Sequence, residues 1–357
     1  MALKYGTQGD GLGAKNQAFV DKLMTEKLAQ DTIFDKFATR QKPLGQNVGK
    51  QITFRKFVPM RDLLIANDIY KNYTGNDVDN AGQDISIMAG SNLYQNYVLP
   101  EGSSGNEAGS MKVVEQSTEI FPIGMWMTVT EETNLFHDMY TVSENINQYS
   151  EVASIIIDEF YRDTYINSAG HVQDITGGGD GADSVTDSAF SDAVSKISLQ
   201  LRLSNAKYVS EILTSSANYG TTPVWSRYIA VVNPMMGEAM RGNADFKSLE
   251  TYSAGVKPIE GEIGMIKDVR IIENANMLIV DNGDGTYTGD MLIMAKDHTA
   301  NVPLRGKKRV EVIVKGLNND DKSDPLNRTQ IIGWKSWLGA LTLNPERLGL
   351  VKAKFTI

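Results

Sequence analysis

The sequence predicts a mixed α+β protein, and three observations support this. The 357 residues are 41% hydrophobic and 22% charged, which are the proportions of an ordinary globular protein. Most of the 32 glycines fall in turn-like clusters, a pattern that favours strands and long loops over helix bundles. Apolar segments of strand length alternate with segments whose apolar residues recur at helical spacing. A chain of this length can bury a substantial core in one large domain or two ordinary ones.

Composition excludes several classes of protein. The absence of cysteine removes disulfides, cysteine nucleophiles and thiolate metal sites. The N-terminus lacks the apolar core of a secretory signal, and no apolar run approaches the ~20 residues of a membrane span. We therefore expect a soluble protein, intracellular when made. The net charge of −9 argues against a dedicated nucleic-acid binder, because phosphate affinity comes from lysine and arginine. The basic cluster 305–309 could be a solvated loop, or could contact nucleic acid or an acidic neighbouring subunit.

The N-terminal third of the chain is polar and predicts few elements. Residues 1–50 indicate an arm carrying one amphipathic helix, Asn16 to Phe37, and a strand follows at Gln51 to Val58. Residues 66–109 are rich in Asn, Asp, Gly, Ser and Tyr, and a connection of this length is unusual inside a compact monomer. We expect a projecting hairpin that buries its tyrosines against another copy of the chain. These tyrosines are Tyr70, Tyr73, Tyr94 and Tyr97.

The middle of the chain predicts a strand pair and a long helix. The strand pair covers Val113 to Thr130 and is broken at Pro122 and Gly124. Thr141 and Glu144 form a capping box for a helix that runs to about Ser168, roughly 40 Å at 1.5 Å per residue. The apolar residues at spacings of three and four are Ile146, Tyr149, Val152, Ala153, Ile156 and Phe160. We expect this helix to be a structural spine.

The remaining elements alternate. A flexible break at Gly177 to Gly181 precedes a helix from Asp187 to Ser204, in which Ala189, Val194, Ile197, Leu201 and Leu203 are apolar. A short helix should follow Asn233-Pro234, and the turn Asp281 to Gly285 should close a hairpin. The predicted strands are Tyr228 to Val232, Val269 to Ile272, Met277 to Val280, Met291 to Ala295, Val310 to Val314, Leu338 to Leu343 and Leu350 to Phe355.

Few residues suggest a catalytic, phosphate-binding or metal-binding function. The histidines are His137, His171 and His298, and none has the paired spacing of a zinc site. The glycine-rich segments 9–13 and 177–181 lack the strand and lysine context of a phosphate-binding loop. The aspartates of 281–284, and the series Asp180, Asp183 and Asp187, could offer oxygen ligands to calcium, but turn and cap roles explain the same residues. The sequence therefore predicts no catalytic, cofactor or metal site.

Three segments carry a resemblance to a known family. They are Ile331 to Ala340 with Leu343 to Arg347, Ile259 to Gly264 with Val269 to Glu273, and Ile123 to Glu131 leading into the long helix. In this order and spacing the chain resembles the major capsid family typified by N4-like phages, which has the HK97-type fold. The resemblance is scattered over residues 45–357, its motifs are short and structural, and residues 77–95 look like an insertion.

The resemblance implies an architecture and a function. The architecture has an N-terminal arm (1–50), an extended loop (51–121) and a peripheral domain (122–184 with the spine helix, 241–279 and 321–357). An axial domain would comprise 185–240 and 280–320. Such subunits form hexamers and pentamers of an icosahedral virion shell around double-stranded DNA, assembled in the host cytoplasm. The partners of the subunit would be portal and scaffolding proteins, with a decoration protein as a further candidate. Besides the four tyrosines, the expected intersubunit contacts are Arg55, Arg305, Lys307 and Arg309.

Two alternatives remain open at this point. The first is the shell protein of an encapsulin-like nanocompartment, which shares the fold and differs in its cargo. The second is an α+β enzyme or ligand-binding protein with a metal site at the loops of Asp281 or Asp180. No cofactor is expected in the capsid interpretation.

Overall fold

The computed structural model describes residues 33–38, 40–41, 43–45, 49–57, 113–132, 142–177, 184–209, 227–249, 261–306, 310–315, 326 and 328–356. The chain divides into two compact units, residues 1–51 with 118–357 and residues 52–117. Helices and strands are mixed as predicted, with many more strands than helices. The predicted loop at 66–109 lies outside the described residues. Within the described part of the chain, no helix is both long and apolar enough to cross a membrane.

An eight-stranded sheet forms the centre of the larger unit. Its strands are β5 (His171–Asp174), β6 (Tyr228–Val232), β7 (Phe246–Ser248), β8 (Glu262–Ile266), β9 (Val269–Glu273), β10 (Ile279–Asp281), β11 (Tyr287–Met294) and β16 (Leu348–Phe355). Their order is β5-β16-β11-β6-β9-β8-β7, and β10 pairs with β11 in an antiparallel hairpin. The hairpin turn predicted at 281–285 is confirmed, although its first strand begins at Ile279, two residues later than predicted.

Both faces of this sheet are covered by helices. All five residues of β6 are buried, because Ile229 and Val231 pack on one apolar cluster and Tyr228, Ala230 and Val232 on the other. The first cluster contains the helix α2 (Val142–Asn167), and the second contains α3 (Ser188–Leu203) and α4 (Pro234–Met240). A strand buried on both faces has an unbroken apolar sequence, as the segment Tyr228–Val232 does.

Three predicted helices are confirmed, and most of the fourth, Asn16 to Phe37, lies outside the described residues. The helix α2 matches the predicted spine within a residue at each end, and α3 is flanked by Asp187 and Ser204 as expected. The short helix α4 begins with a proline, and the side chain of Asn233 accepts a hydrogen bond from Met235 N at 3.1 Å. The described residues also contain two short helical segments, α1 (Phe34–Phe37) and a 3₁₀ turn at Pro345–Arg347.

A second sheet in the larger unit corrects the predicted strand pair at 113–130. Its strands are β4 (Phe121–Thr130), β13 (Val310–Lys315) and β14 (Thr329–Leu338), in the order β13-β14-β4. The break falls at Ile120, and β4 runs through both Pro122 and Gly124. Pro122 is tolerated because β4 is an edge strand of this three-stranded sheet. Gly124 permits close pairing, since a Cβ atom there would lie 2.4 Å from the carbonyl oxygen of Trp334.

The predicted strand over Leu338 to Leu343 is also corrected. It is divided at Gly339, where the chain passes from β14 to β15 (Ala340–Thr342). The strand β15 belongs to a small sheet with β1 (Arg40–Gln41) and β12 (Thr299–Asn301), in the order β1-β12-β15. A Cβ atom at Gly339 would lie 3.0 Å from the Ile120 side chain, so a larger residue there would require Ile120 to shift.

The described part of the second unit is a two-stranded sheet of β2 (Gln51–Phe57) and β3 (Val113–Glu119). Ile52 and Phe54 are buried, and Thr53 and Arg55 are exposed. This alternation confirms the predicted strand at Gln51 to Val58 and gives the pair one apolar face.

Candidate functional site

A buried carboxylate on the spine helix joins three distant segments. Asp158 is fully buried, and its Oδ1 accepts hydrogen bonds from the backbone N–H groups of Ile33 at 3.0 Å and Phe34 at 2.9 Å. Its Oδ2 accepts from the side-chain amides of Asn274 at 2.9 Å and Asn276 at 3.4 Å. The spine helix, the segment at 33–38 and the turn after β9 therefore meet at one carboxyl group. We call Asp158 with these four donors the arm anchor.

The arm anchor explains why the predicted helix from Asn16 to Phe37 is wrong at Ile33. In a continuous helix the N–H groups of Ile33 and Phe34 would be bonded to carbonyl groups of the preceding turn. Here both N–H groups point at Asp158, Ile33 is not helical, and a new helical turn, α1, begins at Phe34. A carboxylate at this position satisfies donors that the first turn of a helix cannot pair internally.

Aromatic contacts reinforce the anchor. The hydroxyl of Tyr165, two turns beyond Asp158, donates to the carbonyl oxygen of Phe34 at 3.3 Å. The Phe34 and Tyr165 rings meet edge to face with centroids 6.2 Å apart, and both side chains are fully buried. His298 packs edge to face against Tyr165, with centroids 5.2 Å apart. The segment at 33–38 is thus held on the spine by polar and apolar contacts together.

Burial sets the electrostatics of the anchor. Loss of water raises the pKa of Asp158, and the four hydrogen bonds to it oppose that rise. Arg162, one turn further along the helix, donates to the carbonyl oxygen of Asn276 and forms an ion pair with Asp163 at 2.8 Å. Arg162 therefore stabilises the same turn after β9 whose side chains donate hydrogen bonds to Asp158.

Sequence reasoning missed the anchor, although a signal was present. Buried polar residues recur every fourth position along the apolar side of the spine, and they are Ser150, Ser154, Asp158 and Arg162. A polar row on the inward face of an amphipathic helix indicates buried polar contacts. The sequence does not indicate the partners, because the donors to Asp158 lie more than 110 residues away in either direction.

The acidic loops proposed as metal sites use their carboxylates internally. Asp281 accepts from Gly283 N at 2.8 Å. Asp284 accepts from the N–H and hydroxyl of Thr286 and from Lys354 Nζ at 3.1 Å, and these contacts, the Thr286 hydroxyl first, lower the pKa of Asp284 to about 2. Asp187 lies at the start of α3, and Asp180 and Asp183 lie outside the described residues. In the described part of the chain, no group of three or more acidic or histidine side chains could hold a metal ion.

The histidines are separated from one another. His298 is fully buried, its Nδ1 lies 2.8 Å from the carbonyl oxygen of Ala295, and burial lowers its pKa to about 4. Desolvation also lowers the pKa of His171, which begins β5. His137 lies outside the described residues. A buried neutral histidine packed on an aromatic ring acts here as part of the core.

The residues predicted to contact other subunits fall mostly outside the described residues. These are Tyr70, Tyr73, Tyr94, Tyr97, Lys307 and Arg309. Arg55 lies in the second unit and forms an ion pair with Glu115 at 2.7 Å, with both side chains exposed. Arg305 is exposed in the larger unit, and its N–H donates to the carbonyl oxygen of Leu44 at 2.9 Å.

Large apolar side chains are exposed on regular elements. Trp126 on β4 is 68% exposed and lies across Gly333 of β14, where a Cβ atom would be 2.9 Å from the Trp126 Cβ. Val152, predicted as part of the apolar stripe of the spine, is 38% exposed on the side away from the sheet. The spacing alone allowed either side, since position 152 lies at the edge of the stripe.

Comparisons with known proteins address the fold. No protein-family model matches the sequence, and no curated protein matches it. Solved structures do match across most of the chain. A capsid chain of Ralstonia phage GP4 has a TM-score of 0.59 and 11% identity, with 92% of each chain covered. The capsid of cyanophage P-SCSP1u gives 0.56 and 11%, covering 90% of this chain and 87% of that one.

A third structure agrees with these two. The mature capsid of bacteriophage PhiM1 gives a TM-score of 0.54 and 12% identity, covering 99% of this chain and 91% of that chain. The matches run through nearly the whole length of each protein, so they concern the complete architecture and not one supersecondary motif. The chain therefore has the fold of these phage capsid proteins.

Proposed function

We propose that the chain is the major capsid protein of a tailed double-stranded DNA phage, in which hexamers and pentamers close into an icosahedral shell around the genome. The observation that carries the proposal is the shared fold with three phage capsid chains over nine-tenths of this chain. The short motifs at 123–131, 259–273 and 331–347 support a relation to the N4-like major capsid family. The function is structural and not catalytic.

The proposed domains follow the HK97-type architecture. The compact unit at 52–117 supports an extended loop at 51–121, since the bounds nearly coincide. The 26-residue helix α2 supports a spine within the peripheral domain (122–184, 241–279, 321–357). The axial domain comprises 185–240 and 280–320, and residues 1–50 form the arm.

The arm anchor supports a role for residues 1–50 in assembly. Asp158 and Tyr165 fix the segment at 33–38 on the spine by three hydrogen bonds to the backbone. A rigid attachment point gives the preceding residues of the arm a defined origin from which to reach a neighbouring subunit. Rigid attachment also lowers the entropic cost of that contact.

The remaining contacts are proposed from surface chemistry. The four tyrosines of the extended loop, with Arg55, Arg305, Lys307 and Arg309, would lie between subunits. Exposed apolar residues such as Trp126 supply further area for burial. The net charge of −9 keeps free subunits apart before assembly and limits retention of packaged DNA. Portal and scaffolding proteins, and a decoration protein, would be the other partners.

Electron microscopy of the purified protein tests the proposal. The protein should form rings, sheets or closed shells, alone or with the scaffolding protein encoded beside it. A protein that stays monomeric under both conditions, at high concentration, would contradict the proposal. The neighbouring genes separate the two kinds of shell: portal and terminase genes support a virion, whereas a cargo enzyme gene supports a nanocompartment.

A further inference from the structure

The two long helices each leave an apolar pair exposed. On α2, Val152 is 38% and Ile155 is 43% exposed. On α3, Leu199 is 49% and Leu203 is 36% exposed. Each pair is spaced by three or four residues, so its members lie next to each other on the helix surface that faces away from the sheet.

The exposed charges beside these pairs have opposite signs. Glu151 and Glu159 flank the pair on α2, and Lys196 and Arg202 flank the pair on α3. Two of these charges form long ion pairs within the chain, with Glu159 3.7 Å from Arg162 and Arg202 3.6 Å from Asp268. We call the group Glu151, Val152, Ile155 and Glu159 the acidic helix face. The group Lys196, Leu199, Arg202 and Leu203 is the basic helix face.

The two helix faces are complementary but cannot meet within one subunit. The helix α2 belongs to the apolar cluster on one side of the eight-stranded sheet, and α3 belongs to the cluster on the other side. Each face is directed outward, so the sheet separates them. A second copy of the chain can present one face to the other.

An antiparallel crossing matches both the apolar and the charged positions. Such a crossing places Ile155 over Leu199 and Val152 over Leu203, one helical turn apart on both helices. The same alignment sets Glu159 beside Lys196. Apolar side chains then pack in the centre of the contact, and opposite charges lie at its rim, as in other protein interfaces.

We propose that the acidic helix face of one subunit packs against the basic helix face of the next. This inference rests on the proposed function, because it identifies a surface through which copies of the chain associate. A contact between two different faces is heterologous, so it leaves one acidic and one basic face open at the ends of any chain of subunits. Such contacts generate rings when the rotation closes.

Mixing of face-blocked subunits tests the proposal. Ile155→Arg blocks the acidic face, and Leu199→Glu blocks the basic face. Both side chains are exposed, so thermal melting should confirm that each variant stays folded. Light scattering after size exclusion should show that each variant alone loses the large assemblies of the wild type. An equimolar mixture should instead form 1:1 complexes, because one intact acidic face meets one intact basic face.

A same-face mixture provides the matched control. Ile155→Arg mixed with Val152→Arg carries two blocked acidic faces and should form no complex. A charge exchange gives a second readout: Glu159→Lys should impair assembly, and adding Lys196→Glu in the same chain should restore it. Single variants that assemble like the wild type, or an Ile155→Arg and Leu199→Glu mixture without 1:1 complexes, would overturn the proposal. A wild type that never assembles would instead contradict the proposed function.

Discussion

Substitution of Asp158 should release the segment at 33–38 from the spine helix. In Asp158→Asn, the remaining oxygen can still accept the backbone N–H groups of Ile33 and Phe34, but the new NH₂ group faces the amides of Asn274 and Asn276. Asn274 cannot turn its amide around without losing another hydrogen bond, because its Oδ1 accepts from Asn276 N at 2.9 Å. Two hydrogen bonds are lost, and buried donors are left facing one another.

The expected magnitudes follow from these contacts. At about 1 kcal/mol per bond, with a further cost for unpaired buried donors, Asp158→Asn should lower the free energy of unfolding by about 2 kcal/mol. Asp158→Ala removes all four acceptor contacts and should cost about 4 kcal/mol. Both substitutions also remove a carboxylate whose burial is unfavourable and raises the pKa of Asp158. This gain offsets part of the loss of stability in both variants.

Urea denaturation and hydrogen exchange measure the two effects separately. Exchange at the amides of Ile33 and Phe34 should stay slow in Asp158→Asn and become fast in Asp158→Ala. Asp192→Asn is the matched control, because Asp192 is exposed on α3, and it should change the stability by less than about 0.5 kcal/mol. If Asp158→Ala behaved like this control, or left the exchange at both amides unchanged, the anchor would not hold the segment.

Three further predictions concern other buried features. The pKa of His298 is lowered to about 4, so a proton binds this residue more readily in the unfolded chain, and His298 should contribute a loss of about 3 kcal/mol of stability as the pH falls from 7 to 4. His298→Gln should show a shallower dependence in urea titrations at the two pH values. Arg270→Met breaks an ion pair whose side chains are buried and should cost about 3 kcal/mol, whereas Arg55→Met, in an exposed pair, should cost less than about 1 kcal/mol in the same assay. Gly333→Ala forces a Cβ atom to within 2.9 Å of the facing strand and should lower the melting temperature, whereas Gly177→Ala, with open space around it, should not.

Sequence patterns correctly predicted the elements that are determined by residues within the element itself. The helices α2 and α3 were found within a residue at each end, because apolar spacing and polar ends lie inside the helices themselves. The hairpin of β10 and β11 was found for the same reason, since its turn residues separate two adjacent strands. The alternation of Ile52 and Phe54 likewise depends on one strand only.

The predictions that were wrong depended on distant residues. The pairing of β4 was assigned to β3, its neighbour in sequence, but its partner β14 lies about 200 residues away. Ile33, predicted to lie within a helix, is not helical, and its N–H group instead donates to a carboxylate 125 residues further along the chain. Which side of the spine Val152 occupies depends on where the sheet lies. The residues predicted to contact other subunits all remain predictions, and most of them lie outside the described residues.

The position of β16 within the central sheet has a consequence for the timing of folding. This strand, Leu348–Phe355, lies between β5 and β11 and pairs with both, although it follows both of them along the chain. A ribosome-bound chain therefore lacks an interior strand until residue 355 has emerged, and the sheet cannot close around the gap. Sheets built from such distant strands also form slowly. Until then β5 and β11 border an unfilled position in the sheet, and unpaired strand edges of this kind are prone to aggregation.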